Sequence, residues 1–217
     1  MLLFLWMTLL TSLMQVICYG NVAAALHGLG KHDEALIIGY KMAKEAASDQ
    51  NDTMRMMAAL TIGEILASLP ARASDGADFL KQAIELAMAH SHWEIELRAS
   101  YLLGKLLYHL QELPQSLFYL LLALRVARGV AGQAQRASGM LYGSIATVLL
   151  ALGRRDEALT CAQAAENVSI LLKDGNLRER SSSLVAHICR LQGRLPPVSG
   201  SAMQSPGSSP RQVSTWL

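Results

Sequence analysis

Large apolar residues recur along this chain at helical spacing, and in five places a large residue is followed directly by a small one. The pairs are Val22-Ala23, Ile62-Gly63, Leu103-Gly104, Ile145-Ala146 and Val185-Ala186, spaced 40 to 42 residues apart. Leu26, Leu66, Leu107 and Leu149 stand three positions beyond the small residue, and Leu29, Leu69, Leu110 and Leu152 six beyond it. Those positions share one helical face, so each run predicts a helix with an apolar side turned toward neighbours. The small residue predicts a second helix packed close against the first.

Two of the runs are nearly the same text. Tyr19-Gly20-Asn21-Val22-Ala23 leads to Leu29-Gly30-Lys31-His32-Asp33-Glu34-Ala35-Leu36. Tyr142-Gly143-Ser144-Ile145-Ala146 leads to Leu152-Gly153-Arg154-Arg155-Asp156-Glu157-Ala158-Leu159, every pairing 123 positions apart, or three steps of 41. Gly30 and Gly153 are expected to end the first helix of their units in the left-handed conformation. Asp33-Glu34 and Asp156-Glu157 are expected where the second helix begins, at its positive end. Ala35, Ala77, Ser116 and Ala158 are the expected small contacts on that second helix. The stretch Leu69 to Gly76, rich in helix breakers, predicts an exposed loop longer than the other turns.

This pattern resembles the tetratricopeptide (TPR) family. The matching words are Leu103-Gly104, then Leu29-Gly30 with Asp33-Glu34-Ala35-Leu36, then Leu152-Gly153 with Asp156-Glu157-Ala158-Leu159, over roughly residues 16 to 194. The unit of 41 residues exceeds the usual length of roughly 34 and is similar to that of the Leu-Gly-Asn-rich polarity adaptors and rapsyn. The family's first-helix aromatic is mostly Leu here, and its closing proline is missing. The resemblance implies an all-α, right-handed α-solenoid. Four units are expected near residues 16–50, 54–90, 95–130 and 137–172, then a capping helix at 178–192 whose polar Arg178, Glu179, Arg180 and Ser181 to Ser183 cover the last apolar face. From residue 196 to 217 the chain turns to Pro, Ser and Gly, which predicts a disordered tail.

Composition adds little to that picture. A chain that is 52% hydrophobic but only 6% aromatic favours helices over sheets, because Leu and Ala lead the helix formers. With a net charge of +2 and no basic stripe, nucleic acid is not expected as a partner. Residues 1–15 are apolar and read as a packed helix, or alternatively as a secretory signal or membrane anchor. No Lys or Arg precedes the run, and polar Thr8, Thr11, Ser12 and Gln15 interrupt it, so no membrane span is expected and a cytoplasmic protein is. Cys18, Cys161 and Cys189 are too few and too scattered for a disulfide framework or a zinc site, and read as reduced thiols. The sequons at Asn51 and Asn167 matter only in the secretory reading.

The search for chemistry turns up no nucleophile motif and no phosphate loop, so no catalytic residue, cofactor or metal is expected. His90-Ser91-His92 fits a turn between units better than a metal clip, since neighbours two apart on a helix diverge. What remains is a groove for a protein partner, a peptide or helix. The resemblance implies that first helices line its concave side one, four and five positions past the small residue. That register selects His27, Glu64, Lys105, Tyr108, His109 and Thr147, and Tyr101 from the position two before the large residue. Tyr101, Lys105, Tyr108 and His109 gather in the third unit, though both tyrosines also fit packing between units. Family members that clamp a chaperone's terminal carboxylate use Lys and Asn at groove positions where this chain has Ala24, Glu64 and Thr147, which argues against that role. Thr215 and Leu217 resemble a ligand for PDZ domains.

Overall fold

The computed structural model describes residues 2–48, 51–130 and 134–193, with side chains from residue 14 onward except residue 16. Thr215 and Leu217, like the rest of the Pro/Ser/Gly-rich segment, lie outside the described residues. Nine α-helices and no strand occur among those described: α1 (Leu2–Gly28), α2 (His32–Ser48), α3 (Asp52–Ala67), α4 (Ala73–Ala89), α5 (Trp93–His109), α6 (Leu113–Gly129), α7 (Gln135–Ala151), α8 (Arg155–Leu172) and α9 (Gly175–Leu191). The apolar run at the N-terminus continues without a break into the first helix of the first unit. No helix among the described residues is long and apolar enough to cross a membrane.

The helices pack as consecutive antiparallel pairs, α1/α2 to α7/α8, with α9 against α7 and α8. Backbones of the odd-numbered helices also adjoin one another, α1 to α3, α3 to α5, α5 to α7 and α7 to α9, whereas those of the even-numbered helices do not. The odd row is therefore the inner, concave side of a curved stack. The core crosses unit boundaries: Leu120 and Leu124 of the third unit share a cluster with Leu141, Ile145 and Leu149 of the fourth and Ile188 of α9. A unit cannot bury its apolar face alone, which is why the stack holds together only as a series.

The paired large and small residues explain the close approach within each pair. A Cβ on Gly63 would lie 2.8 Å from Cγ of Leu80, and one on Gly104 would lie 2.7 Å from Cγ of Leu120. At the corresponding places the first unit has Ala23 and Gly39, and the fourth has Ala146 and Ala162. Where the second helix brings a leucine, the first helix has given up its side chain.

Turns between helices repeat one geometry. Gly30 (φ +76°) and Gly153 (φ +77°) take the left-handed conformation, and so do Ser91, Gln111 and Lys173 at the same place in other turns. The N–H of the next residue then closes back on the helix, as Lys31 does to Leu26 O at 2.9 Å and Arg154 to Leu149 O at 2.9 Å. Ser91 places His90-Ser91-His92 in the turn between α4 and α5.

Two expectations need correction. The stretch from Leu69 to Gly76 is not a long exposed loop. Pro70–Arg72 form one 3₁₀ turn, α4 begins at Ala73, and Ala73 and Gly76 are buried. Gly76 reads as a breaker but is needed inside the helix, because a Cβ there would stand 2.7 Å from the Ala67 nitrogen. That shifts the register, so Gly76 and not Ala77 is the counterpart of Ala35, Ser116 and Ala158. Asp156 and Glu157 stand in the first turn of α8, as expected, where their charge favours the helix dipole, while Arg154 at the cap position makes no side-chain capping bond. Side-chain caps occur instead at Asn51, which accepts from Met54 N at 3.0 Å, and Asp174, which accepts from Leu177 N at 3.1 Å. Finally, Ser181 does not belong to the solvated surface of α9: it is buried and donates to Leu177 O at 2.9 Å.

Candidate functional site

The inner row opens into a hollow of about 880 Å³ between α5, α7 and α9. Tyr101 of α5, Gly143 and Thr147 of α7, and Arg180, Ser183 and His187 of α9 line it. Its depth comes from Gly143. That glycine holds the register position that Tyr101 holds one unit earlier, and a Cβ there would meet nothing within 4 Å. A side chain is missing where its neighbour has a phenol ring, and space is left.

Lys105 stands beside the hollow with its Nζ 5.7 Å from the centroid of the Tyr101 ring, a cation–π contact that props the ring. Neither Lys105 nor Arg180 makes an ion pair among the described residues, and Glu179 is the carboxylate in the lining. Thr147 Oγ1 donates to Gly143 O at 3.0 Å and Ser144 Oγ to Met140 O at 3.1 Å, so both hydroxyls keep lone pairs free to accept.

The structure therefore brings Tyr101, Lys105 and Thr147 to one place and distributes the other predicted residues elsewhere. Tyr108 is half-buried against the core shared by the third and fourth units, with its ring edge-on to exposed His109 at 5.7 Å. Glu64 pairs with Arg98 across α3 and α5 at 2.6 Å, forming a rung of the inner row. His27 meets His32 across the α1–α2 turn, Nδ1 to Nδ1 at 3.0 Å. Arg180, Ser183 and His187 are absent from the sequence-based selection because α9 reads as a polar cap. The groove register carried to the fifth copy does yield Ser183 and His187, two before Val185 and one after Ala186. Arg180 comes from the helix packing alone.

Neither Cys161 nor Cys189 offers a reactive centre here. Cys189 is buried, and burial, reinforced by the Glu157 carboxylate, pushes the Cys161 thiol up to about 11. A thiol so placed is almost wholly protonated near neutrality.

No family model and no curated protein sequence matches the chain. Solved structures do. The nearly identical TPR-like repeats of a kinesin light chain from Podosopora anserina superpose with a TM-score of 0.68 at 12% identity, covering 82% of this chain and 86% of that one. A structure of MamA from AMB-1 gives 0.55 at 16% identity, with 83% and 84% covered, and another MamA structure gives 0.53 at 15%. The chain folds as a TPR-like solenoid. Identity this low carries the fold alone, and the TPR-like architecture explains why the odd helices form the inner row and why the hollow lies there.

Proposed function

We propose that this TPR-like chain is a protein-interaction scaffold or adaptor that holds a peptide or short helix of another protein in its concave groove. The observation that carries the reading is the open space over Gly143 beside the Tyr101 ring. A gap beside a propped aromatic on a rigid helix row is a pocket for an anchoring side chain. Lys105 and Arg180, free of ion pairs, and the hydroxyls of Ser144, Ser183 and Thr147 give polar partners around it. No covalent step is involved: affinity comes from shape, a buried anchor and a polar rim. The protein is read as cytoplasmic, with no nucleic-acid partner.

Quantitative affinity purification tests this, comparing the native chain with Gly143→Leu and with Tyr101→Ala/Lys105→Glu. Phe118→Ser, on the outer face of α6, serves as the control. Partners that depend on the groove are lost in both groove variants and kept in the control. Retention of every partner by a fully helical Gly143→Leu protein would remove the hollow as the site.

A further inference from the structure

His27 ends the inner helix of the first unit and His32 opens its outer helix. The turn at Gly30 brings the two rings together at a tilt: Nδ1 lies 3.0 Å from Nδ1, with ring centroids 4.9 Å apart and planes at 58°. The turn itself is held by backbone bonds from Gly30 N to His27 O at 3.0 Å and from Lys31 N to Leu26 O at 2.9 Å. Both rings are half-buried, so they are reachable from solvent and yet restrained. The neighbouring Lys31 ammonium is engaged by Glu34 at 3.0 Å.

The repeat does not require two histidines here. In the fourth unit the same positions of the same turn carry Leu150 and Arg155, and in the third they carry Tyr108 and Leu113. The backbone closes identically in all three, so the pair is an addition to the turn and not its support.

Imidazole nitrogens bind divalent ions of the zinc type at about 2.0–2.1 Å, and at that bond length two nitrogens this far apart subtend roughly 94°. That is close to the right angle between neighbouring ligands in tetragonal sites, the arrangement of Cu(II) and Ni(II), and well short of the tetrahedral angle zinc favours. We propose that His27 and His32 form a two-imidazole clip for a tetragonal divalent metal ion, Cu(II) or Ni(II), with water in the remaining positions. Among the described residues no group of three or more His, Cys, Asp or Glu converges on one point, so the clip is an open site with protein ligands on one edge only. Binding needs both Nδ1 lone pairs. The ring that now donates the hydrogen bond loses its Nδ1 proton to water and regains one at Nε2, with no net change in protonation, and both rings turn so that their Nδ1 lone pairs meet at the ion. The ion then ties α1 to α2 and stabilises the folded chain by an amount that grows with the logarithm of its free concentration above Kd.

Thermal unfolding of the full chain with and without Ni(II) tests the proposal. Nickel is used because Cu(II) would oxidise the exposed Cys18 thiol. Ni(II) is expected to raise Tm of the native chain, and the rise is lost in His27→Gln and in His32→Gln but kept in His90→Gln. All three variants should show native helicity without metal, since the turn closes with Leu150 and Arg155 at the equivalent positions. An absent rise in the native chain, or an equal rise in His32→Gln, overturns the clip and leaves a plain hydrogen bond between two rings.

Discussion

Leu120 occupies the space that a side chain on Gly104 would need, with its Cγ 2.7 Å from where that Cβ would stand. The two residues are matched in size across α5 and α6, and the fourth unit solves the same contact with Ala146 and Ala162. Leu120→Ala alone should lower stability by about 2–5 kcal/mol, because it opens a cavity in a fully buried place. Gly104→Ala alone should cost about 1–3 kcal/mol by overpacking. Combined, they recreate the contact of the fourth unit, and the double variant should be less destabilised than the sum by about 0.5–3 kcal/mol. Urea unfolding of the four proteins measures this; strict additivity would mean that the two side chains do not compete for one space.

Two buried serines of the third unit should respond in opposite ways to the same change. Ser116 Oγ donates to Gly104 O at 2.7 Å, while Ser100 Oγ is buried with no hydrogen-bond partner among the described residues. Ser116→Ala should cost about 1 kcal/mol, the net worth of a typical hydrogen bond. Ser100→Ala should be neutral or stabilising, because it removes a desolvated hydroxyl that gains nothing in return. Denaturation midpoints with unchanged slopes would report both.

The Cys161 thiol, held up at about 11 by burial and by Glu157, makes a prediction about alkaline pH. Its folded-state value lies above the ordinary 9.0, so the folded chain holds the proton more tightly than the unfolded one. The stability this gives is complete below about pH 9 and is lost as pH rises through about 11. Cys161→Ala should flatten the fall of Tm across that window. Native alkylation at pH 8 should modify exposed Cys18 well before Cys161, with mass spectrometry reading the order.

Gly143→Leu should leave the fold intact and even favour it. The position lies inside α7 with open space around it, and replacing a mid-helix glycine gains roughly 0.5–1 kcal/mol through helix propensity. A Tm equal to or above that of the native chain, together with loss of groove-dependent partners, is the expected result. A lowered Tm would mean that the space over Gly143 is used by the fold.

Much of the fold is legible in the chain because repetition multiplies a weak signal. One large residue followed by a small one means little, but five such pairs in register imply helices of one kind placed in one way, and the Gly30 and Gly153 turns follow from glycine's backbone freedom. The stretch around Gly76 shows where such reading fails. Glycine after proline looks like a loop, and only the 2.7 Å approach of the Ala67 backbone reveals why a helix needs it there. The candidate site is legible in part for the same reason. Tyr101, Lys105 and Thr147 follow the repeat into one region, because register assigns each helix an inner face.

The sequence by itself determined the helices, their pairing and the small residues at Gly63 and Gly104 where the second helix comes close. These depend on neighbours within one unit or on the period that links units. Only the tertiary structure decided how the faces meet: that α9 turns Arg180, Ser183 and His187 toward Tyr101, that Gly143 leaves a hollow between them, and that His27 meets His32. Those relations arise between units, from the angle at which packed helices stack and the direction each side chain takes. Spacing along the chain selects a face, but distance across a groove is set by the packing of what lies beneath it.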